Sequence, residues 1–392
     1  MHWLDILLYY IIFLVAYFFF GCADKYSMRK NSAIFFMFLG IMILALFAGF
    51  RDIAVGIDTK ATIEQFFLPA QRYNSLSDIF ENLSYIKEPI YTIISFFLLK
   101  ISEDYFVFLF TMQLLVLIPI AIVAYNERTV TCMANVMLIY MFLFYQLSFN
   151  LIRQSIAAAF LLLAFERFNQ KKYIRMVIDI AFTLAFHSSA IIGIGIYIVI
   201  YIMYTNPNKV IRVATGIVAT AMISLMLLRW QQVATWLVEN NSTLGRYGTY
   251  VNVFSNQSGN ATWFKLRTRT ILDEGLRFIA MLIPFIYIIR RKLQDQVLNI
   301  YKIGIAISFI MYSAFVILFR SYMGLRITIW LDYMMIPCFA LLCSFEHKSI
   351  VVKDSKLLYN FTNSIPILFC LGYNFLIYMW AEYCNTVPYI IK

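Results

Sequence analysis

Runs of 15 to 20 nearly uncharged residues recur along this chain, and several of them, Ala33 to Phe50 and Tyr105 to Tyr125 among them, carry no charged side chain at all. A helix rises about 1.5 Å per residue, so each run crosses or nearly crosses the roughly 30 Å hydrocarbon layer of a bilayer. Lipid offers no water to an exposed N–H or C=O, and a helix satisfies its own backbone there. A soluble core cannot absorb the runs instead, because 62% of the 392 residues are hydrophobic and 14% are charged. The pattern predicts an all-α, polytopic membrane bundle forming a single transmembrane domain over residues 1–392. One cleaved leader does not explain so many runs.

The expected spans are Leu4 to Phe20, Ala33 to Phe50, Tyr105 to Tyr125, Cys132 to Phe149, Asn150 to Phe168, Lys172 to His187, Ala190 to Tyr204, Val210 to Leu228, Gly275 to Ile289, Val297 to Phe319, Ile327 to Ser344 and Leu357 to Met379. They make about twelve helices. Lys and Arg number 32 against 21 Asp and Glu, a formal charge of +11. In a soluble protein that excess would raise nucleic acid as a partner. Here the cations sit in alternate loops, at Lys25, Arg29 and Lys30, at Arg128, at Lys171, Lys172 and Arg175, at Lys209 and Arg212, at Arg290 to Lys292, and at Lys348, Lys353 and Lys356. Lys and Arg collect in cytoplasmic loops, so the asymmetry predicts a topology with both termini outside, and no nucleic-acid partner.

Two longer segments, 51–104 and 229–274, fall on the predicted outer side as larger loops. Within the first, Pro89 to Leu99 is apolar but holds only eleven residues, short of the roughly 17 needed to cross unaided. It is expected as a re-entrant or interfacial helix, since counting it as a span would invert every later loop.

Chemistry-bearing residues gather at the turns between spans. After the second span the chain reads Phe50-Arg51-Asp52-Ile53-Ala54-Val55-Gly56-Ile57-Asp58-Thr59. The plain reading is an Arg and Asp anchor at the interface; the functional one is a Gly turn that aims Asp58 into a membrane-facing cavity. Glu88-Pro89-Ile90-Tyr91 opens the short apolar segment, where Pro suits a first helical turn and Glu the positive end of the helix dipole, with or without a further role. Phe149-Asn150-Leu151-Ile152-Arg153-Gln154 puts Arg153 about one turn below the surface, where an Arg needs a carboxylate or an anionic ligand. Phe186-His187-Ser188-Ser189-Ala190 splits an apolar stretch from Met176 to Tyr204 that is too long for one span, with His187 at the turn.

Arg320 and Arg326 bracket a late turn, either as the ends of two spans or as a clamp for a diphosphate or carboxylate. In the second outer loop, Arg246-Tyr247-Gly248-Thr249-Tyr250 and the stretch Trp263 to Arg269 mix aromatic rings with cations, which suits sugars and lipid headgroups equally. The six cysteines show no disulfide or zinc spacing. No phosphate-binding Gly loop, His-Glu-x-x-His or Gly-x-Ser-x-Gly occurs, and no cytoplasmic segment is large enough to hold a nucleotide sugar.

In their order along the chain, Phe50-Arg51 with Val55-Gly56-Ile57-Asp58-Thr59, Glu88-Pro89-Ile90-Tyr91, Asn150-Leu151-Ile152-Arg153-Gln154 and Phe186-His187-Ser188-Ser189-Ala190 resemble the EpsG family of bacterial exopolysaccharide proteins. The terminal Asn385-Thr386-Val387-Pro388-Tyr389 is similar as well, while Ile90 departs from the Gly expected in many members. The resemblance implies a Wzy-type polymerase, of the kind that makes exopolysaccharide, capsule or O-antigen. Such an enzyme joins undecaprenyl-diphosphate-linked repeat units on the outer face of the bacterial cytoplasmic membrane. It implies lipid-linked glycans and membrane lipid as partners, a flippase and a chain-length regulator in the same pathway, and no metal or other cofactor.

That glycosyl transfer asks for cations to stabilise the departing diphosphate and a base to take the acceptor proton. The resemblance assigns the diphosphate and sugar contacts to Arg51, Asn150, Arg153, Gln154, Arg246, Arg320 and Arg326. It leaves the base among His187, Asp58 and Glu88, with His187 first because histidine as a residue type exchanges a proton near neutral pH. Two other classes remain open. A lipid-linked glycan flippase or other transporter would use an Arg-lined cavity without chemistry, and a membrane ligase or acyltransferase would use it for another acceptor.

Overall fold

The computed structural model of the chain describes residues 2–82, 89–205, 207–215, 217–218, 323–344 and 356–391. These residues are helical, with no strand among them. The first two helices, α1 (Trp3–Lys25) and α2 (Lys30–Gly49), pack on each other across a short basic turn. Along α1 the exposed Leu4, Leu7, Ile11, Leu14 and Phe18 are spaced three or four apart and form one outward stripe. Ile6, Tyr9, Phe13, Ala16, Phe20 and Ala23 form the inward one. Both faces are apolar, as expected of a helix whose outer surroundings are lipid rather than water.

After α2 come the short helices α3 (Thr59–Thr62) and α4 (Leu76–Glu81), then α5 (Pro89–Leu99) and α6 (Tyr105–Asn126). With eleven residues, α5 is about 16 Å long, half the thickness of a hydrocarbon layer. Phe50 lies against Phe106, with ring centroids 4.6 Å apart. The chain therefore leaves α2 and enters α6 at the same end of the bundle. Helices α1, α2 and α6 are the three described helices long and apolar enough to cross a membrane.

At the centre stands α7 (Met133–Leu143), every residue of which is buried except the half-buried Asn135. It packs against α1, α6 and the two C-terminal helices introduced below. Its first N–H groups have no partner within the helix, and Asp24 at the end of α1 supplies one: Met133 N and Ala134 N donate to its two carboxylate oxygens at 2.7 and 2.9 Å. The sequence predicts one span from Cys132 to Phe149, but the helix stops at Leu143 and the chain turns through a short 3₁₀ segment, Leu147–Phe149. Buried polar residues account for the break. Gln146 and Ser148 bond across the bundle, to Asn374 and Thr386 and to Gln113, instead of continuing a helix. Asn374 Nδ2 and the Tyr378 hydroxyl donate to the carbonyls of Phe142 and Leu143, at 2.9 and 2.8 Å. Irregular backbone at this depth is tolerated because protein buries it and satisfies it.

Three further helices follow, α8 (Ile152–Asn169), α9 (Tyr173–Phe186) and α10 (Ala190–Thr205); α8 packs on α6, α9 and α10. The late helices are α11 (Met323–Asp332), α12 (Met335–Ser344) and α13 (Lys356–Tyr373), the last running on into a π-helical stretch, Asn374–Trp380. The expected single span Ile327 to Ser344 is divided at Tyr333. Pro337 lies four residues on, has no N–H to give the Tyr333 carbonyl, and its ring crowds that carbonyl.

The helices give the bundle two distinct ends. One holds the Asp24 cap of α7, the C-terminus of α8 and the start of α9. There the buried Glu166 accepts bonds from Asn126 and Gln170, and Lys171, Lys172 and Arg175 lie close by. The other end holds the start of α8, the turn between α9 and α10, and a C-terminal strap, residues 383–391. Of the twelve expected spans, Gly275 to Ile289, Val297 to Phe319 and most of Val210 to Leu228 lie outside the described residues, as does the loop 229–274.

Candidate functional site

The turn after α2 is shaped by Gly56, whose φ of +95° is a backbone conformation that side chains resist. A Cβ there would also stand 2.6 Å from Thr59 Oγ1 and 3.2 Å from Asn150 Oδ1. Thr59 Oγ1, fully buried, lies 2.8 Å from the Val55 carbonyl and 3.2 Å from that of Phe149, fastening the turn to the start of α8. Asp58 follows at the N-cap of α3, yet its carboxylate does not cap that helix. Its backbone N–H donates to Asn150 Oδ1 at 3.2 Å instead.

Arg153 occupies the first turn of α8, three residues beyond Asn150. Its guanidinium carbon lies 4.8 Å from the centre of the Phe66 ring. From there aromatic contacts run onward, Phe66 to Tyr91 at 5.2 Å and Tyr91 edge-on to Phe186 at 5.4 Å. His187 is the next residue. It ends α9 in an extended conformation, and its ring lies over Trp330 of α11 with centroids 5.7 Å apart and planes 27° apart. Gln154 Nε2 approaches His187 Nε2 to 3.3 Å. An amide nitrogen only donates, so the contact is a hydrogen bond when the imidazole is in its Nδ1–H tautomer. Trp330 is fully buried, and its indole N–H has no hydrogen-bond partner among the described residues.

Arg51 lies against Phe149, the residue before Asn150. It is 1% exposed, with its guanidinium 4.1 Å above the Phe149 ring and Nη1 donating to the Ala48 carbonyl at 2.5 Å. Tyr389 bonds the Phe47 carbonyl and Tyr145 the Leu44 carbonyl, so three side chains together close the C-terminal end of α2. Burial pushes the Arg51 guanidinium down to about 10, partly opposed by Tyr145, Tyr389 and Tyr9.

Residues 34–391 match the EpsG family. The chain belongs to the EpsG family. Among curated proteins and among solved structures, none matches it. Family and apolar helices together make it an exopolysaccharide-associated membrane protein.

The ordered motifs of this EpsG-family chain, spread from Phe50 to Tyr389, meet at one end of the bundle. Asp58, Asn150, Arg153, Gln154 and His187 come together there, joined by Phe66, Tyr91 and Trp330. Glu88, Arg246 and Arg320 lie outside the described residues; Arg326 lies on α11, four residues before Trp330, with its side chain outside them too. Phe66 and Trp330 were not singled out from the sequence, since an aromatic in a chain this rich in them carries no signal. Tyr91 was visible as the last residue of the Glu88 motif. Among the described residues no group of three His, Cys, Asp or Glu could hold a metal.

Proposed function

We propose that this EpsG-family protein is a polysaccharide polymerase acting on undecaprenyl-diphosphate-linked repeat units at the outer face of the bacterial cytoplasmic membrane. The observation that carries the reading is the convergence of Arg153, Asp58 and His187 at one end of the bundle. A cation, a carboxylate and an imidazole stand there among aromatic rings, supplied by chain segments that the fold alone brings together.

In this reading a hydroxyl oxygen of the acceptor sugar attacks the anomeric carbon of the donor. The bond from that carbon to the diphosphate oxygen breaks, the undecaprenyl diphosphate leaves, and the hydroxyl proton passes to a base. Arg153 stabilises the charge developing on the diphosphate, because a guanidinium fork matches phosphate oxygens and stays charged. Arg320 and Arg326 are assigned to the same anion and Arg246 to the glycan. Asp58 takes the proton, since His187 Nε2 is turned to Gln154; His187 and Gln154 then hold the acceptor or the diphosphate. Glu88 is the remaining carboxylate candidate. The proposed topology has about twelve spans with the motif-bearing end and both termini outside, which puts the basic end in the cytoplasm.

The test is incubation of purified protein with a lipid-linked repeat unit, followed by sizing of the product. A ladder of lengthened, lipid-linked chains supports the polymerase. Unchanged units moved across a vesicle membrane would make it a flippase, and transfer of finished chains to another acceptor would make it a ligase.

A further inference from the structure

The C-terminal strap is tied to the turn after α2 by backbone. Asp52 N–H donates to Ile390 O at 2.8 Å, Gly56 N–H to Asn385 O at 2.8 Å and Ile57 N–H to Cys384 O at 3.3 Å, and Arg51 pairs with Ile391 in an antiparallel bridge. From the bundle side, Tyr9 donates to Thr386 O at 2.9 Å and Gln146 to Thr386 Oγ1 at 3.3 Å. The Tyr389 ring stacks on Phe47 at 4.1 Å.

Cys384 and Asn385 within this strap, and Glu382 just before it, have positive φ, at 74°, 52° and 50°. Side chains resist that conformation, and it persists where surrounding structure over-determines it. Here it turns the carbonyls of Cys384 and Asn385 toward the Gly56 turn. Sequence and packing thus commit local strain to one contact.

Asn150 is the joint between strap and site. Its Nδ2 donates to Cys384 O at 2.9 Å, and its Oδ1 accepts the Asp58 N–H at 3.2 Å. Its side chain is buried, and both ends of its amide are engaged with backbone. Gly56 makes the space that this amide uses, since a Cβ on residue 56 would stand 3.2 Å from Oδ1.

We infer that Asn150 is a positioning residue: it couples the C-terminal strap to the Asp58 backbone and so fixes where the Asp58 carboxylate stands, without itself contacting the glycan. What Asp58 does there rests on the polymerase reading; the coupling does not.

The experiment has two arms on full-length protein in lipid nanodiscs. The first measures hydrogen exchange by mass spectrometry in wild type, Asn150→Ala and Asn150→Asp. Both variants should speed exchange in peptides of the strap, because each loses the donor to Cys384. Gly56 and Ile57, whose N–H groups donate to the strap, should follow it in both variants, and only Asn150→Ala should also speed exchange at the Asp58 amide, since Asp keeps the acceptor. Asn150→Asp, equal in volume, serves where the Ala variant fails to reach the membrane. Unchanged exchange in both peptides overturns the inference.

The second arm measures polymer formation on a membrane-extracted undecaprenyl-diphosphate-linked repeat unit. Asn150→Ala should lower kcat on the order of 10²-fold, the scale of a small displacement of a reacting group, with KM within about twofold. In an Asp58→Asn background it should add no further loss. A raised KM with kcat intact would make Asn150 a glycan ligand and overturn the inference. If wild type makes no polymer, the polymerase reading fails while the exchange arm still decides the coupling.

Discussion

His187 Nε2 lies 3.3 Å from the amide nitrogen of Gln154. In the Nδ1–H tautomer the imidazole presents its lone pair to this side chain of the same site. An imidazole so engaged takes a substrate proton only if Gln154 gives way.

Asp58 as base predicts that Asp58→Asn is the deeper lesion. Its rate should fall on the order of a hundredfold or more, while His187→Gln retains much of the activity because Gln keeps hydrogen bonding. Rates of both variants measured across pH decide between them. If His187 were the base, the rate would fall as the pH is lowered and imidazole protonates, and that acidic limb would vanish in His187→Gln.

Arg153→Ala should abolish polymer at normal protein level. Arg153→Lys should rescue it poorly, since an ammonium is a point charge and cannot grip two oxygens at once as the guanidinium does. Full polymer from Arg153→Ala, scored by product size on gels, would return Arg153 to a purely structural role beside Phe66.

Arg51 is buried under Phe149 and closes α2, so Arg51→Ala should lower the thermal midpoint and kcat with KM unchanged, whereas a diphosphate ligand would show a raised KM. Its pH dependence has a definite sign. The folded value of about 10 lies below that of a solvated guanidinium, so the buried cation is disfavoured by folding. Raising the pH through that value removes a buried charge and favours the fold. Between about pH 6 and 8 the side chain stays charged, and the difference in midpoint between wild type and Arg51→Ala should be flat.

Gly56→Ala combines a left-handed backbone with a Cβ 2.6 Å from Thr59 Oγ1. It should destabilise the turn by about 1–3 kcal/mol and release the strap, read as faster hydrogen exchange at 383–391. Gly21, around which nothing lies within 4 Å of an added Cβ, should accept Ala with unchanged exchange there.

A single Cys placed at Ser188 should be labelled from outside intact cells by a membrane-impermeant thiol reagent, and one at Lys172 from the cytoplasm. Cytoplasmic labelling of the Ser188 position would invert the proposed topology.

The sequence by itself determined that the chain is helical and lives in a membrane, because uncharged runs such as Ala33 to Phe50 leave the backbone no other way to satisfy itself in lipid. It also marked the ends of α6, α9 and α10, where a charged or polar turn stops the run, and the short motifs that hold Asp58, Arg153 and His187. It could not say which face of α1 looks inward, since Leu14 toward lipid and Phe13 toward the core are equally apolar. Nor could it separate Arg51 from Arg153, two arginines at similar turns. Only the tertiary structure put Tyr9, Tyr145 and Tyr389 around the first and left the second beside Phe66, Tyr91 and the His187 turn. The stop of α7 at Leu143 has the same origin, because the bonds that replace the helix come from Asn374, Tyr378 and Thr386, more than 220 residues away. Local sequence fixes what a segment satisfies within itself; a partner that distant exists for it only once the bundle has closed.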